Sequence, residues 1–150
     1  GRGAARRRGS RGERPRHHAG DQPDDEAAVR KAVMQTYSAL NERDLKTLIP
    51  LFDENYENWS GTTKGRVAWE KWISEYLDHQ KDIQFKFLEE IGIVFVTPDV
   101  AIYKDRHEVS GSVDADGKKL PTQTRFWASV WAKRNGNWLM TTQFVQVVEQ

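Results

Sequence analysis

Residues 124–148, TRFWASVWAKRNGNWLMTTQFVQVV, are the most informative part of the sequence for the fold. Two runs rich in β-branched and aromatic residues flank Asn135-Gly136, a dipeptide typical of a two-residue hairpin turn. We therefore predict two long antiparallel strands joined at this turn. Both faces of these strands carry apolar side chains, which is unusual for a sheet with one exposed face. We expect one face to cover helices and the other to meet a partner.

Two more strands are predicted upstream of this hairpin. Apolar and polar residues begin to alternate at Ile83 and continue to Phe95, which is the pattern of a strand. The run VAIYKDRHEV, residues 100–109, predicts a second strand, and the segment Asp114-Ala115-Asp116-Gly117 predicts the tip of the following hairpin. Because the connections are short, we predict that the four strands are neighbours in chain order.

Three helices are predicted before the sheet. After Asp24, apolar side chains recur every three or four residues until about Arg43, which indicates one helix. Asp44 is a candidate cap of a second, short helix, and Gly65 precedes a third helix with a strongly aromatic stripe. Between them, residues 56–63 (YENWSGTT) predict a short strand that runs into a loop. Together, these elements predict an α+β fold.

The chain divides into two differently charged parts. Residues 1–23 hold seven arginines against two acids, whereas residues 24–150 hold 16 basic against 20 acidic side chains. We predict that residues 1–23 form a disordered Arg/Gly-rich leader, because they have no apolar side chain larger than alanine to bury. The leader is either an unselected tail or an arm for nucleic acid, and we do not expect nucleic acid as a partner. Residues 24–150 form the predicted domain.

Composition excludes several classes of function. The chain has 150 residues and no cysteine, which excludes disulfides, thiol nucleophiles and cysteine-based metal centres. No apolar run approaches the roughly 20 residues of a membrane span, and the basic start lacks the apolar core of a signal peptide. We therefore expect a cytoplasmic protein without a membrane partner.

Two segments carry a resemblance to a known family. ALNERDLKTLIPLFDENYENWSG, residues 39–61, and VWAKRNGNWLM, residues 130–140, resemble the nuclear transport factor 2-like superfamily, in particular its SnoaL-like and ketosteroid-isomerase-like members. The resemblance implies a cone-shaped barrel, with three helices packed on a strongly curved antiparallel sheet around an apolar pocket. It also implies a homodimer through the outer face of the sheet, where we expect Trp127 and Trp131.

The resemblance does not extend to the ketosteroid isomerase site. Those members place a carboxylate base eight residues after the position of Phe52, and this chain has Ser60 there. They use a helix tyrosine at the position of Thr36, whereas Tyr37 is one residue further and points about 100° away on a helix. Ketosteroid isomerase activity is therefore not predicted.

The best remaining candidates for catalysis lie on the second strand. Tyr103, Asp105 and His107 share one face of it, because side chains alternate along a strand. Asp105 could then orient His107 as a general base. Alternatively, Lys104, Arg106 and Glu108 mark this half of the strand as exposed, and His107 only closes the mouth of the barrel.

Aromatic residues supply the candidate pocket. The chain has six tryptophans, and these either fill a small core or line a ligand site. For ligand binding we favour Trp59, Trp72, Tyr76 and Phe87, since ligand sites are mostly apolar with a few polar groups. No histidines or carboxylates have the spacing of a metal site, and no glycine-rich phosphate loop is present. We expect neither metal nor cofactor.

Two functions of different class fit this sequence. The first is a small-molecule-binding SnoaL-like domain with an apolar pocket, acting as an acid–base isomerase, lyase or cyclase on a hydrophobic substrate. The alternative is a non-catalytic oligomerisation or binding module, which resembles the association domain of calcium/calmodulin-dependent kinase II. A closed cavity that contains His107 favours the first, and a filled interior favours the second.

Overall fold

The computed structural model describes residues 22–149, and of Glu149 the backbone only. Three α-helices and one 3₁₀ turn come first: α1 (Gln22–Glu42), α2 (Leu45–Leu48), the 3₁₀ turn (Ile49–Leu51) and α3 (Arg66–His79). Four strands follow: β1 (Gln84–Thr97), β2 (Val100–Ser110), β3 (Gln123–Arg134) and β4 (Asn137–Glu149). The predicted order of helices followed by strands is confirmed. Residues 1–21 of the predicted leader lie outside the described part.

The helix boundaries follow local signals. Helix α1 begins at Gln22, earlier than the predicted Asp24, because Pro23 is tolerated in a first turn, where its missing N–H has no helical acceptor. The predicted cap at Asp44 is confirmed, since its carboxylate accepts hydrogen bonds from the backbone N–H and the hydroxyl of Thr47 at 3.2 and 2.6 Å. These bonds lower the pKa of Asp44, the hydroxyl of Thr47 contributing most.

The predicted short strand at residues 56–63 is wrong. Only Glu57 forms a bridge, an isolated antiparallel one with Lys64. The backbone N–H of Asn58 donates to the Thr63 carbonyl at 3.0 Å, and the Asn58 side chain accepts from the Thr63 N–H at 2.9 Å. These local bonds close a compact turn, which leaves no room for a strand to pair.

The sheet is an antiparallel meander in the order β1-β2-β3-β4, as predicted. Within the described residues, β1 and β4 pair with one neighbour each, so the sheet is open at both edges. Asn135 and Gly136 have φ angles of 51° and 84°, which are the positive values that a twist-matched two-residue hairpin turn requires. This local geometry confirms the predicted turn.

One face of the sheet is buried against the helices. Burial alternates without a break along β2, where Ala101, Asp105 and His107 point inward. In the β2–β3 pairing, Trp127 lies opposite Asp105 and Trp131 opposite Ala101, and the two indoles are 5% and 0% exposed. The prediction that they lie on the outer face is therefore wrong, because their bulk fills the core beneath the helices. Dimerisation itself stays a prediction.

The outer face of the sheet, which points away from the helices, also carries apolar side chains. Val94, Ile102 and Val130 form a row across β1, β2 and β3 in the strand register. Val94 is exposed, and the other two are half-buried.

The first half of helix α1 is fixed to the sheet by two ion pairs. Arg30 donates to both carboxylate oxygens of Glu90 on β1 at 2.9 and 3.0 Å, and Lys133 on β3 lies 3.1 Å from Asp25. No helix within residues 22–149 is long and apolar enough to cross a membrane.

Candidate functional site

A cavity of about 390 Å³ lies between the helices and the buried face of the sheet. Its volume is within the range of sites for small organic ligands. Most of its wall is aromatic or aliphatic, and no Asp or Glu is among the lining residues. The polar or charged lining side chains are Thr36, Asn58, Ser60, Thr63, His107, Arg125 and Gln143, together with the hydroxyls of Tyr37, Tyr56 and Tyr76.

Behind this wall lies a fully buried carboxylate. Asp105 is 0% exposed, and its Oδ2 accepts hydrogen bonds from the hydroxyls of Tyr37 at 2.6 Å and Tyr103 at 2.8 Å. A buried carboxylate is costly unless hydrogen bonds satisfy it, and bonds to a charged acceptor are the strong ones. Burial raises the pKa of both tyrosines, and the adjacent Asp105 charge raises it further. Both hydroxyls therefore stay protonated and keep donating.

His107 connects this carboxylate to the cavity. Its Nδ1 lies 3.4 Å from the second oxygen of Asp105, Oδ1, a long hydrogen bond. The ring is 4% exposed and lines the cavity, where the rings of Tyr37 and Trp127 pack against it edge-on at centroid distances of 5.7 and 6.4 Å. This half of β2 is therefore not exposed as expected: His107 is buried, and Lys104, Arg106 and Glu108 are half-buried on the opposite face. A catalytic role for His107 stays a prediction.

Arg125 lies next to His107 in the cavity wall. The two residues are directly opposite each other in the β2–β3 pairing, and both line the cavity. The Nε and Nη2 atoms of Arg125 donate to the side-chain oxygen of Gln123 at 3.1 and 3.0 Å. The partner of this guanidinium is thus a neutral amide.

A chain of hydrogen bonds crosses the wall from β3 to the segment after α2. The Trp127 indole N–H donates to the Gln143 side-chain oxygen at 2.8 Å, and the Gln143 amide donates to the Tyr56 hydroxyl at 2.9 Å. Burial raises the pKa of Tyr56 to about 12 despite the opposing effect of Gln143. Tyr56 is therefore a neutral hydroxyl in the cavity wall at neutral pH.

Helix α3 contributes a ladder of stacked aromatic rings. Trp69 and Trp72 stack at a centroid distance of 5.1 Å and an interplanar angle of 21°, and Trp72 and Tyr76 at 4.9 Å and 16°. Trp69 is buried in the core, Trp72 is 44% exposed, and Tyr76 is half-buried. Trp59, on the turn after Asn58, packs edge-on against Phe144 of β4 at 5.5 Å.

The structure brings most of the predicted site residues together. Tyr103, Asp105 and His107 form one hydrogen-bonded group, but of these only His107 lines the cavity. Among the predicted ligand-binding residues, Trp59, Trp72 and Tyr76 line the cavity. Phe87 does not: it lies on edge strand β1 and packs against the outer side of Tyr37, at 6.3 Å.

Sequence reasoning missed four residues of the site. Tyr37 was expected to point away from it, yet it lines the cavity beside Thr36 and binds Asp105. Arg125, Gln143 and Tyr56 were not considered. For Arg125 a signal existed, because it shares the strand face of Trp127, two residues on. Ser60, which replaces the isomerase base, also lines the cavity. Within residues 22–149, no cluster of three or more His, Asp or Glu could hold a metal ion.

Comparisons with known proteins identify the fold. No protein-family model matches the chain, and no curated protein matches it. Among solved structures, a protein of Caulobacter vibrioides with a cystatin-like fold has a TM-score of 0.76, 15% identity and coverage of 84% of this chain and 91% of its own. Hexachlorocyclohexane dehydrochlorinase LinA-type3 from Novosphingobium barchaimii has a TM-score of 0.75, 14% identity and coverage of 87% and 90%.

A third similar structure belongs to a different functional class. It is a candidate calcium/calmodulin-dependent protein kinase II association domain from Xanthomonas campestris, with a TM-score of 0.61, 18% identity and coverage of 79% of this chain and 84% of its own. At these identities the likeness shows the fold alone. The chain has a cystatin-like α+β fold.

Proposed function

We propose that this chain is a small-molecule lyase or isomerase of the SnoaL-like kind, which removes a proton from carbon with His107 as the general base. The observation that carries the proposal is the position of His107: it lines an apolar cavity while its Nδ1 lies beside the buried Asp105. A cone-shaped, strongly curved sheet around the pocket, a cytoplasmic location and a reaction without metal or cofactor are parts of the same proposal.

Asp105 is a positioning residue in this mechanism. With the imidazole proton on Nδ1, the His107 ring donates to Asp105, and Nε2 is left free to accept a proton. The two tyrosine hydroxyls hold the Asp105 carboxylate in place, as second-layer partners do for other functional histidines.

The likeness to a dehydrochlorinase supports the reaction class. The Novosphingobium enzyme is named for the removal of hydrogen chloride, and such an elimination starts when a base takes a proton from carbon. An isomerisation starts with the same step. We therefore propose that this chain catalyses the shared step, the removal of a proton from carbon. Experiment must identify the leaving group.

A generic probe tests the base without knowledge of the natural substrate. In 5-nitrobenzisoxazole the base takes the proton from C3, the C–H electron pair forms the nitrile, and the N–O bond breaks to give a phenolate. We expect the protein to accelerate this ring opening, followed by absorbance of the phenolate. His107→Gln should lower kcat/KM by about 100-fold, the lower end of the range for general-base catalysis.

Two further variants make this test specific. His79→Gln is the matched control, because His79 is exposed on α3 and, among the described residues, its ring bonds only the Asp114 carbonyl. Asp105→Asn should lower kcat and shift the pH profile, since it changes the hydrogen bond at Nδ1 rather than the base itself. If His107→Gln reacts as fast as His79→Gln, His107 is not the base.

The alternative, a non-catalytic association module, has one supporting observation, the structural likeness to the Xanthomonas protein. Such a module needs no cavity, whereas this chain has one of about 390 Å³. The small-molecule function therefore fits the described residues better.

A further inference from the structure

The charge of the cavity wall is unbalanced. Arg125 is the one permanently charged side chain among the described residues that line the cavity, and no lining residue is Asp or Glu. The carboxylate nearest to the site, Asp105, lies behind His107 and already accepts hydrogen bonds from two tyrosines. A permanent cation is thus built into a mostly apolar wall, and no carboxylate among the described residues lines the cavity beside it.

The hydrogen bonds of Arg125 leave it able to bind a ligand. Its Nε and Nη2 donate to one oxygen of the neutral Gln123 amide. A guanidinium has five N–H donors in a fixed plane, so several remain for another acceptor. The bond to Gln123 fixes the orientation of the side chain, and this reduces the entropy lost when an anion binds.

The position of Arg125 places such an anion beside the proposed base. Directly paired residues on neighbouring antiparallel strands have Cβ atoms about 4.5–5.5 Å apart, and Arg125 is the direct partner of His107. A ligand whose anionic oxygen binds the guanidinium would therefore place a carbon only a few bonds from that oxygen next to His107.

The rest of the cavity fits a flat, apolar body. Trp69, Trp72 and Tyr76 stack on one another and line one side of the cavity. An aromatic wall of this kind favours an aromatic, and therefore flat, ligand, because aromatic rings attract each other in offset-stacked and edge-to-face arrangements. Trp59 lies at the cavity as well and is 69% exposed, which leaves most of its surface available for contact.

We propose that the ligand of this cavity is a flat, mostly aromatic acid whose carboxylate or other anionic oxygen binds the Arg125 guanidinium beside His107. This inference rests on the proposed function and names its substrate class. Arg125 selects the ligand and holds it by charge-assisted hydrogen bonds, which are stronger than bonds between neutral groups. A neutral ligand of the same shape would leave the cation without an anion and would bind more weakly.

The test compares two probes that differ in charge and little in shape, 2-naphthoate and the neutral 2-naphthamide. Isothermal titration calorimetry at neutral pH measures both affinities, and shifts of the Trp127 indole N–H signal in NMR spectra report binding in the cavity. We expect naphthoate to bind about tenfold more tightly than naphthamide, which is the effect of a single good charge-assisted contact.

Variants assign this preference to Arg125. Arg125→Met should abolish the preference, because it weakens naphthoate binding far more than naphthamide binding. Arg125→Lys should retain part of the preference, because the charge remains and the planar fork is lost. Lys118→Met is the control, since it removes one positive charge from the exposed hairpin tip far from the cavity wall. Thermal unfolding of each variant establishes that it is folded.

The outcomes separate this inference from the proposed function. If both probes bind equally and Arg125→Met changes neither, the acid class is wrong, while the apolar pocket and the His107 base stand. If neither probe binds or shifts the Trp127 signal, both the acid class and the small-molecule pocket are wrong.

Discussion

At the scale of single residues, the buried Asp105 carboxylate organises the site. It lies on β2, but one of its two tyrosine donors, Tyr37, comes from helix α1, 68 residues earlier in the chain. A fully buried charge destabilises the fold when a donor is removed, since the lost bond is not replaced by water. Tyr37 therefore links stability and the proposed positioning of His107.

Replacing Tyr37 with phenylalanine should destabilise the protein measurably. We expect Tyr37→Phe to lower the free energy of unfolding by about 1.5–3 kcal/mol at neutral pH, the range for a hydrogen bond to a charged group. Urea unfolding measures it. Tyr76→Phe is the matched control, because the Tyr76 ring stacks on Trp72 but its hydroxyl makes no hydrogen bond within the described residues.

The same residue gives the protein a dependence on alkaline pH. Burial raises the pKa of Tyr37 above its ordinary value of 10, so the folded state holds this proton more tightly than the unfolded chain. The stabilisation is complete below pH 10 and is lost as the pH rises above it, with a slope of about 1.4 kcal/mol per pH unit. Tyr37→Phe should show a shallower loss of stability above this pH than the wild type, and an unchanged slope would contradict the expectation.

At the scale of elements, the end of β2 is packed closely against the loop before β1. Gly111 follows β2 with a φ of 73°, and a Cβ placed on it would fall on the Asp82 carbonyl oxygen. Gly117, at the next hairpin tip, has a similar φ of 83° but open space around it. An added Cβ would strain the backbone at both glycines, but it would meet other atoms only at Gly111. Comparing the two positions therefore separates the cost of backbone strain from the cost of a steric clash.

This pair makes a controlled prediction. Gly117→Ala should cost about 1 kcal/mol of stability, the price of a left-handed conformation for a residue with a Cβ. Gly111→Ala should cost about 2–4 kcal/mol, because the backbone of Asp82 must also move. Urea unfolding of both variants measures the difference. If both variants lose the same free energy of unfolding, the Asp82 backbone moves away from the new Cβ without an energetic cost, which would contradict the prediction.

Between elements, Arg43 shows how an unexpected contact fixes the helices. Its guanidinium donates to the carbonyls of Gln80, Lys81 and Ile83 at 2.8, 2.7 and 2.9 Å. It thereby joins the end of α1 to the connection between α3 and β1. The sequence predicts where α1 ends, but not that the next residue binds carbonyls about 40 positions away, because such a contact depends on how the helices pack.

At the scale of the whole molecule, the predicted homodimer concerns the outer face of the sheet. Because Trp127 and Trp131 are buried, the apolar row of Val94, Ile102 and Val130 is the surface on which it would form. We expect light scattering at micromolar concentration to give the mass of two chains.

A charge in this row should separate the two chains. Val130→Arg places a cation at the β3 end of the apolar row, where burial without a partner is costly, and we expect the mass of one chain. Val67→Arg is the control, since Val67 is 85% exposed on α3. A wild type with the mass of one chain would show that this face is not a dimer interface.

The elements and their order are readable from the amino-acid sequence. Hydrophobic periodicity located α1, α3 and the four strands, and the Asn135-Gly136 turn located the last hairpin, because these signals act between residues close in the chain. Strand parity also placed Tyr103, Asp105 and His107 on one face. These signals act between residues close in the chain, so they can be interpreted without knowledge of the tertiary packing.

The interior that these elements enclose depends on the tertiary packing. It placed Trp127 and Trp131 inward rather than outward, brought Tyr37 to Asp105, and set Arg125 beside His107 in the cavity. Parity shows which residues share a strand face but not which face the helices cover, and periodicity does not fix the rotation of a helix against a sheet. Both are settled by the packing of large side chains over distant parts of the chain.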